Sequence, residues 1–291
     1  MKKILITGAS GFLGWNICHL ARQEWEVYGT YFSHQVKIPG TKTVKVDLRD
    51  FQTLKQIFND IKPVAVIHSA AQSKPNWCQQ NREEAYPINV TTTIDLAGLC
   101  VDRSIPFAFT STDLVFDGLN PPYKETDPVC PINYYGEQKA IAEQKILELY
   151  PQSAICRMPL MFGIASPTNN SFIQPMLEAL RKGRELRLFT DEFRTPVSAS
   201  TAAAGLLLAL EKVNGLLHLG GKERISRYEF GCLLAEVLQL PQDQLKQCQQ
   251  KDVEMVAPRS PDVCLDSSKA FALGYQPLSL QKELETLQQE I

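Results

Sequence analysis

The stretch "KKILITGASGFLG", residues 2–14, constrains the chain more than any other. An apolar run with β character ends in a loop holding Gly8, Gly11 and Gly14, and a helical pattern begins at Phe12. A glycine at the first position lets the chain turn sharply as it leaves a strand. One at the second lets backbone N–H groups approach an anionic group, and one at the third lets a helix pack closely on a sheet. The helix N-terminus adds partial positive charge at the same point. Placed at the start of a strand–loop–helix unit, this spacing points to a pyrophosphate cradle rather than to a merely flexible turn.

The rest of the first half continues the alternation. Short apolar runs at 26–32, 42–47, 64–70, 106–112 and 153–163 read as strands. Helical patterns at 12–23, 50–61, 82–103 and 133–150 lie between them. Near-continuous apolar strands separated by helices imply a parallel sheet covered on both faces. Right-handed crossovers make that sheet doubly wound, with its ligand outside the carboxyl ends of the strands. The expected fold class is therefore α/β, a doubly wound parallel (Rossmann) sheet with a smaller C-terminal α/β lobe. The expected division is 1–165 for dinucleotide binding and 166–291 for an interleaved substrate lobe, with an approximate boundary. Later elements include helices at 172–182, 199–212 and 226–240 and strands at 185–189 and 216–220.

Composition narrows the function classes. Thirty basic and thirty-two acidic side chains leave a net charge of −2, so no global field argues for nucleic acid or an anionic membrane. No apolar run is long enough to cross a bilayer. The N-terminus passes from two lysines straight into "ILITG", without a signal core, and a cytoplasmic protein is expected. Eight cysteines are scattered without C-x-x-C spacing and four histidines are dispersed, so reduced thiols and no metal site are expected.

Two stretches carry the chemistry. "TSTDLVFDG" (110–118) runs from a strand end into polar residues, and "NYYGEQK" (133–139) sets Tyr135 and Lys139 at i and i+4. That spacing projects both from one helix face, where an ammonium is expected to lower the phenol's pKa. Tyr134 has no Lys four residues on, so the register selects Tyr135. Tyr135 is then a usable proton donor or acceptor toward a substrate carbonyl, and Thr112, at the end of its strand, is expected to hydrogen-bond the same oxygen.

The G-x-x-G-x-x-G loop with Thr112, Tyr135 and Lys139 resembles the extended short-chain dehydrogenase/reductases. "STDLVFDG", "PYKETDPVCPINYYGEQK" and "PRSPDVCLDSSK" are similar to dTDP-4-dehydrorhamnose reductases. They are at least as similar to the non-catalytic regulatory β subunit of methionine adenosyltransferase. The resemblance covers nearly the whole chain. It implies catalytic roles for Thr112, Tyr135 and Lys139, and substrate contacts from Asp113 and Arg259. For the cofactor it implies Gly8, Gly11, Phe12, Leu13 and Gly14, then Tyr31 and Ser33. It further implies Asp47 and Leu48 at the adenine, Ala70 and Ala71 beneath the dinucleotide, Asn89, and again Tyr135 and Lys139.

An acid at the end of the second strand would hydrogen-bond the adenosine ribose and repel a 2′-phosphate. No acid occurs from Gly29 to Lys37, and Ser33, His34 and Lys37 could accommodate a phosphate. NADP(H) is favoured, with NAD(H) still open, although no arginine stands in that stretch. Leu114 cannot move a proton, which excludes the related 4,6-dehydratases. Leu114, Leu160 and Thr201 depart from the rhamnose-forming reductases, which have Tyr, Trp and usually Asp there. The expectation is reduction of a keto group on a nucleotide-activated sugar, a small-molecule partner, with a homodimer left open. A cofactor-binding regulatory subunit and a sugar-nucleotide 4-epimerase are the alternatives.

Overall fold

The computed structural model describes residues 1–290. The first half runs β1 (Lys2–Thr7), α1 (Phe12–Ala21), β2 (Trp25–Tyr31), β3 (Thr41–Lys45), α2 (Phe51–Ile61) and β4 (Ala65–His68). It continues through α3 (Pro75–Gln80), α4 (Arg82–Tyr86), α5 (Thr92–Val101), β5 (Phe107–Thr112), α6 (Tyr134–Leu149) and β6 (Ala154–Met158). Beyond it come β7 (Met161–Phe162), α7 (Ile173–Arg181), β8 (Leu186–Phe189), β9 (Phe193–Arg194) and β10 (Val197–Ser198). The chain ends with α8 (Ala199–Lys212), β11 (Gly215–His218), β12 (Ile225–Ser226), α9 (Arg227–Val237), β13 (Leu245–Cys248), α10 (Ser268–Ala272) and α11 (Leu280–Glu290).

Seven strands form one parallel sheet in the order β11-β6-β5-β4-β1-β2-β3. The order reverses between β1 and β4, which opens a crevice at their carboxyl ends. Strand periodicity explains the two cores. Ile4, Ile6, Ala65, Ile67 and Ala108 face one layer with α1 and α8, and Leu5, Val66, Phe107 and Phe109 face the other with α2, α5 and α6. The expected doubly wound sheet is thus present. The interleaving takes a definite form: α8 packs on α1, and β11 pairs with β6 as an edge strand of the main sheet, although both lie beyond residue 165. Three two-stranded pairs, β10-β7, β12-β9 and β13-β8, and a third core around Phe162, Phe230 and Leu284 build the smaller lobe.

The helical pattern at 82–103 is interrupted. Between α4 and α5, Pro87–Thr91 forms a π-helical turn. Proline has no N–H to donate to the preceding turn, so the ladder loosens there.

A polar chain crosses the β5–β6–β11 side of the sheet. Arg157 of β6 pairs with Glu143 of α6 at 2.8 Å, and both are buried. Glu143 also accepts from Ser111 of β5. Arg157 Nη1 lies 3.3 Å from His218 Nε2, whose ring uses Nδ1 on the Tyr123 carbonyl. A buried pair gives little net stability, yet removing one partner leaves an uncompensated charge. Glu143→Ala should therefore lower the unfolding free energy by about 3–5 kcal/mol in urea titration. The double change Glu143→Leu with Arg157→Met should cost much less. Additive losses would mean that packing rather than charge pairing dominates.

Candidate active site

The glycine loop is shaped by close backbone approach. Gly8 adopts φ +75°, and a Cβ there would lie 2.8 Å from Ala70 Cα. A Cβ at Gly14 would lie 2.2 Å from the Gly8 carbonyl oxygen, so α1 can rest on the loop only without a side chain. Gly11, the N-cap of α1, supplies no side-chain cap, which leaves the first-turn N–H groups facing the crevice. The Ala9 N–H donates to the Thr30 carbonyl at 2.8 Å, tying the loop to β2. Phe12, Leu13, Ala70 and Ala71 are half-buried around it.

Beneath the loop a buried imidazole joins the two strands at the switch point. His68 lies 2.7 Å from Thr7 Oγ1 through Nδ1 and 3.0 Å from Thr93 Oγ1 through Nε2. Burial, helped by the Lys139 charge, pulls His68 down to about 3, so it stays neutral. Asn89 sits in the π-turn, fully buried. Its amide donates to the Gln72 carbonyl at 3.1 Å and to Gln138 Oε1 at 2.7 Å, and its carbonyl oxygen accepts the Gln72 N–H. In this structure Asn89 thus clamps the 70–72 loop to α6. The stretch that follows this loop forms α3 and α4. Trp77 packs there with Cys78 and Tyr135, and Arg82 lies 4.8 Å over the Tyr134 ring.

Asn133 caps α6 by accepting the Gly136 N–H at 3.0 Å. Gly136 is needed because a Cβ would lie 2.1 Å from the Leu114 carbonyl oxygen. That contact presses the first turn of α6 onto the residues just after β5. Lys139 is 1% exposed and donates to the Thr110 carbonyl at 2.8 Å. Its Nζ is 5.9 Å from the Tyr135 ring centre. Thr112, Tyr135 and Lys139 thus share one buried region at the carboxyl end of β5. Thr112 Oγ1 donates to Asp113 Oδ1 at 3.1 Å.

The expected lowering of the Tyr135 pKa is not what this arrangement gives. Burial raises the phenol, and the charges of Cys78 and Asp113 raise it further. Lys139 is itself lowered to about 7, chiefly by burial, with Glu143 pulling the other way. Desolvation dominates at both groups because both are fully buried.

Asp113 has partners that its local sequence does not reveal. It is 4% exposed and pushed up to about 6 by burial, against the pull of Arg194 and Thr112. Arg194 Nε lies 3.7 Å from Asp113 Oδ2, and Arg194 Nη2 lies 3.3 Å from Glu192. Oδ2 accepts no hydrogen bond among the described residues. Arg227 stands 4.0 Å from Glu192, and its Nη1 is buried without a partner among the described residues. Burial lowers Arg227 to about 10, and Arg194 and Arg259 also disfavour its charge. Arg259 donates to Asn76 Oδ1 at 3.2 Å. Three guanidiniums thus gather with Glu192 and Asp113. Arg194 and Arg227 escaped the sequence reading because about eighty residues or more separate them from Asp113.

At the adenosine side, Tyr31 ends β2 and Ser33 is exposed. Asp47 is occupied: it accepts Arg49 Nε at 2.9 Å and Nη2 at 2.6 Å, which holds its carboxyl below the usual range. Leu48 is half-buried, and its carbonyl accepts from Thr92. The stretch 29–37 contains no arginine, but the fold brings one to its rim from the turn after β3, with Arg49 5.6 Å over the Phe32 ring.

The model of the RmlD substrate binding domain matches residues 1–291. The chain belongs to that family. A probable low-salt glycan biosynthesis reductase, Agl14, of Haloferax volcanii is 30% identical over 289 residues, covering 97% of this chain and 96% of that protein. The methionine adenosyltransferase 2 subunit beta of Danio rerio is 27% identical over 281 residues, covering 94% and 85%. Among solved structures, a hypothetical dTDP-4-dehydrorhamnose reductase from Sulfolobus tokodaii superposes with a TM-score of 0.83 at 33% identity, covering 94% of each chain. A dTDP-4-dehydrorhamnose reductase from Bacillus anthracis reaches 0.89 at 23% identity over the full length of both chains, which shows the shared fold.

The buried ammonium has a thermodynamic signature. Its folded pKa, about 7, lies below the ordinary lysine value, so the unfolded chain binds more protons between the two. Stability from this group therefore rises with pH above about 7. Between pH 7 and 8.5, the parent should gain about 1.6 kcal/mol relative to Lys139→Met in urea unfolding. A constant difference would show that Lys139 keeps its ordinary pKa.

Proposed function

We propose that this protein is an NADP(H)-dependent reductase of a keto group on a nucleotide-activated sugar. The observation that carries the proposal is the placement of Tyr135 and Lys139 on one face of α6, against Thr110 and Thr112 at the carboxyl end of β5. That region adjoins a crevice whose Gly8 and Gly14 leave no room for side chains and whose α1 N-terminus is uncapped. Such a cradle fits a dinucleotide pyrophosphate.

When bound, the dinucleotide supplies the hydride. The chain's own residues orient the substrate and manage the proton. Tyr135 Oη donates a proton to the carbonyl oxygen, and Thr112 Oγ1, turning its one proton away from Asp113 Oδ1, donates a hydrogen bond to the same oxygen. Lys139, charged below about pH 7, stabilises the phenolate that remains. Asp113, with a free Oδ2, accepts from a sugar hydroxyl. Arg259, Arg227 and Arg194 surround the same space with more positive than negative charge, which suits a substrate bearing phosphates. Leu114 offers no acid–base group, in keeping with reduction rather than elimination.

The second reading, a dinucleotide-binding regulatory subunit, draws on the similarity to methionine adenosyltransferase 2 subunit beta over 94% of the chain. It also draws on the raised Tyr135 phenol. The two readings part on turnover. NADPH oxidation is followed with dTDP-4-keto-6-deoxy sugars, for the parent beside Tyr135→Phe, after both are shown to fold. The reductase reading expects parent activity and a fall of about 10²–10⁴-fold in the variant. A parent silent across several such sugars would favour the regulatory subunit, and an equally active variant would refute the proton-donor role.

Arg259→Ala isolates the substrate side. Loss of a charge-assisted hydrogen bond should weaken sugar-nucleotide binding by about 1.5–3 kcal/mol and leave dinucleotide affinity unchanged. Equal losses for both ligands, read by calorimetric titration, would make Arg259 a structural residue.

A further inference from the structure

The rim formed by β2 and β3 holds an oriented guanidinium that the proposed reaction does not use. The register sets Tyr31 opposite Lys45, and the Val46 N–H donates to the Tyr31 carbonyl at 2.9 Å. The two strands therefore leave the sheet side by side. Phe32 and Ser33 stand on one end, and Asp47, Leu48 and Arg49 on the other.

Arg49 is fixed at this rim from two sides. Asp47 accepts its backbone N–H at 3.0 Å and its side-chain Nε and Nη2. The exposed Phe32 ring lies 5.6 Å from its Cζ. Nη1 donates to no residue among those described, so one edge of the fork is available. The Asp47 carboxylate, which would otherwise repel an anion, is matched by the guanidinium that it holds. Beside them Ser33 Oγ lies 2.9 Å from His34 Nδ1, both residues being exposed. No acid occurs from Gly29 to Lys37.

In a doubly wound fold, the adenosine ribose of a dinucleotide lies at the end of the second strand. An acid there selects a free 2′-hydroxyl, whereas a guanidinium accommodates a 2′-phosphate. We propose that Arg49, reaching across from the end of β3, is the residue that reads the 2′-phosphate of NADP(H), with Ser33 and His34 completing the site. The proposal rests on the NADP(H) reading above and deepens it. It transfers cofactor choice from the stretch after β2 to a residue seventeen positions later. Held by Asp47, the fork loses less side-chain freedom on meeting the phosphate than a free arginine would.

Direct binding tests this without turnover. NADPH and NADH are titrated separately by protein fluorescence against the parent, Arg49→Leu and Arg49→Lys. Arg49 is exposed, so neither variant threatens the core. The parent should prefer NADPH. Arg49→Leu should lose about 10- to 100-fold in NADPH affinity with NADH affinity unchanged, and Arg49→Lys should retain part of the preference. Equal weakening of both dinucleotides would mean that Arg49 packs on the adenine, and no change in either would mean an idle surface pair. Either result overturns the proposal while the parent's preference for NADPH still stands. A parent that holds NADH as tightly as NADPH would overturn the NADP(H) reading itself, and the role of Arg49 with it.

Discussion

The carbonyl oxygen of Gly8 occupies the place where a side chain at residue 14 would begin, 2.2 Å from an ideal Cβ. Much of the architecture follows from that approach. It seats α1 on the end of β1, which aims the helix N-terminus into the crevice between β1 and β4. It also sets the opposite face of α1 where α8 can pack on it. The chain then passes from α8 into β11, beside β6 at the edge of the sheet. Any side chain at residue 14 would push α1 outward and disturb the anion cradle and the α1–α8 layer together.

Besides Tyr135 and the arginines, three more groups of the site depart from ordinary ionisation, each driven mainly by loss of water. His68 is held neutral, Lys139 is brought to about 7, and Asp113 is raised to about 6. A neutral histidine can bridge two threonine hydroxyls without introducing another charge. A lysine poised near neutrality can change its charge during a proton transfer at little cost. Buried ionisable groups of this kind oppose folding, and His68, Asp113 and Lys139 gather at the carboxyl ends of the neighbouring strands β4 and β5. The scaffold's own buried charges, Glu143 and Arg157, are by contrast fully paired.

The sheet was legible because its signals are local. Ile4, Leu5 and Ile6 alternate between two cores, as a strand covered on both faces requires, and the glycine spacing reports contacts within one loop. The Tyr135–Lys139 pair was legible because helical geometry joins residues four apart. Three features were not. Arg194 reaches Asp113 only through the lobe's fold, and Arg49 reaches the β2 rim only through strand register. The pKa of Tyr135 depends on how much water the folded site excludes, which no spacing in "NYYGEQK" encodes. The π-turn at Pro87–Thr91 lies in between. Its proline was a visible warning, but the role of Asn89 as a clamp on Gln72 depends on the tertiary packing.

The smaller lobe and the main sheet with its helices meet at polar contacts on either side of the crevice. On the side of the glycine loop, the hydroxyls of Ser166 and Thr168 donate to the Ser10 carbonyl at 3.0 and 2.6 Å. On the other, Arg194 leans on Asp113 at 3.7 Å, close for an ion pair but too long for a hydrogen bond. The first contact is made with backbone and is indifferent to charge. The second is unfinished, with a carboxylate oxygen and the Arg227 Nη1 both lacking partners among the described residues. Unmet buried polar groups are costly, so a ligand that supplies a hydroxyl to Asp113 and an anion to the arginines relieves both costs at once. The polar groups that face the crevice on this side thus come from both halves of the chain.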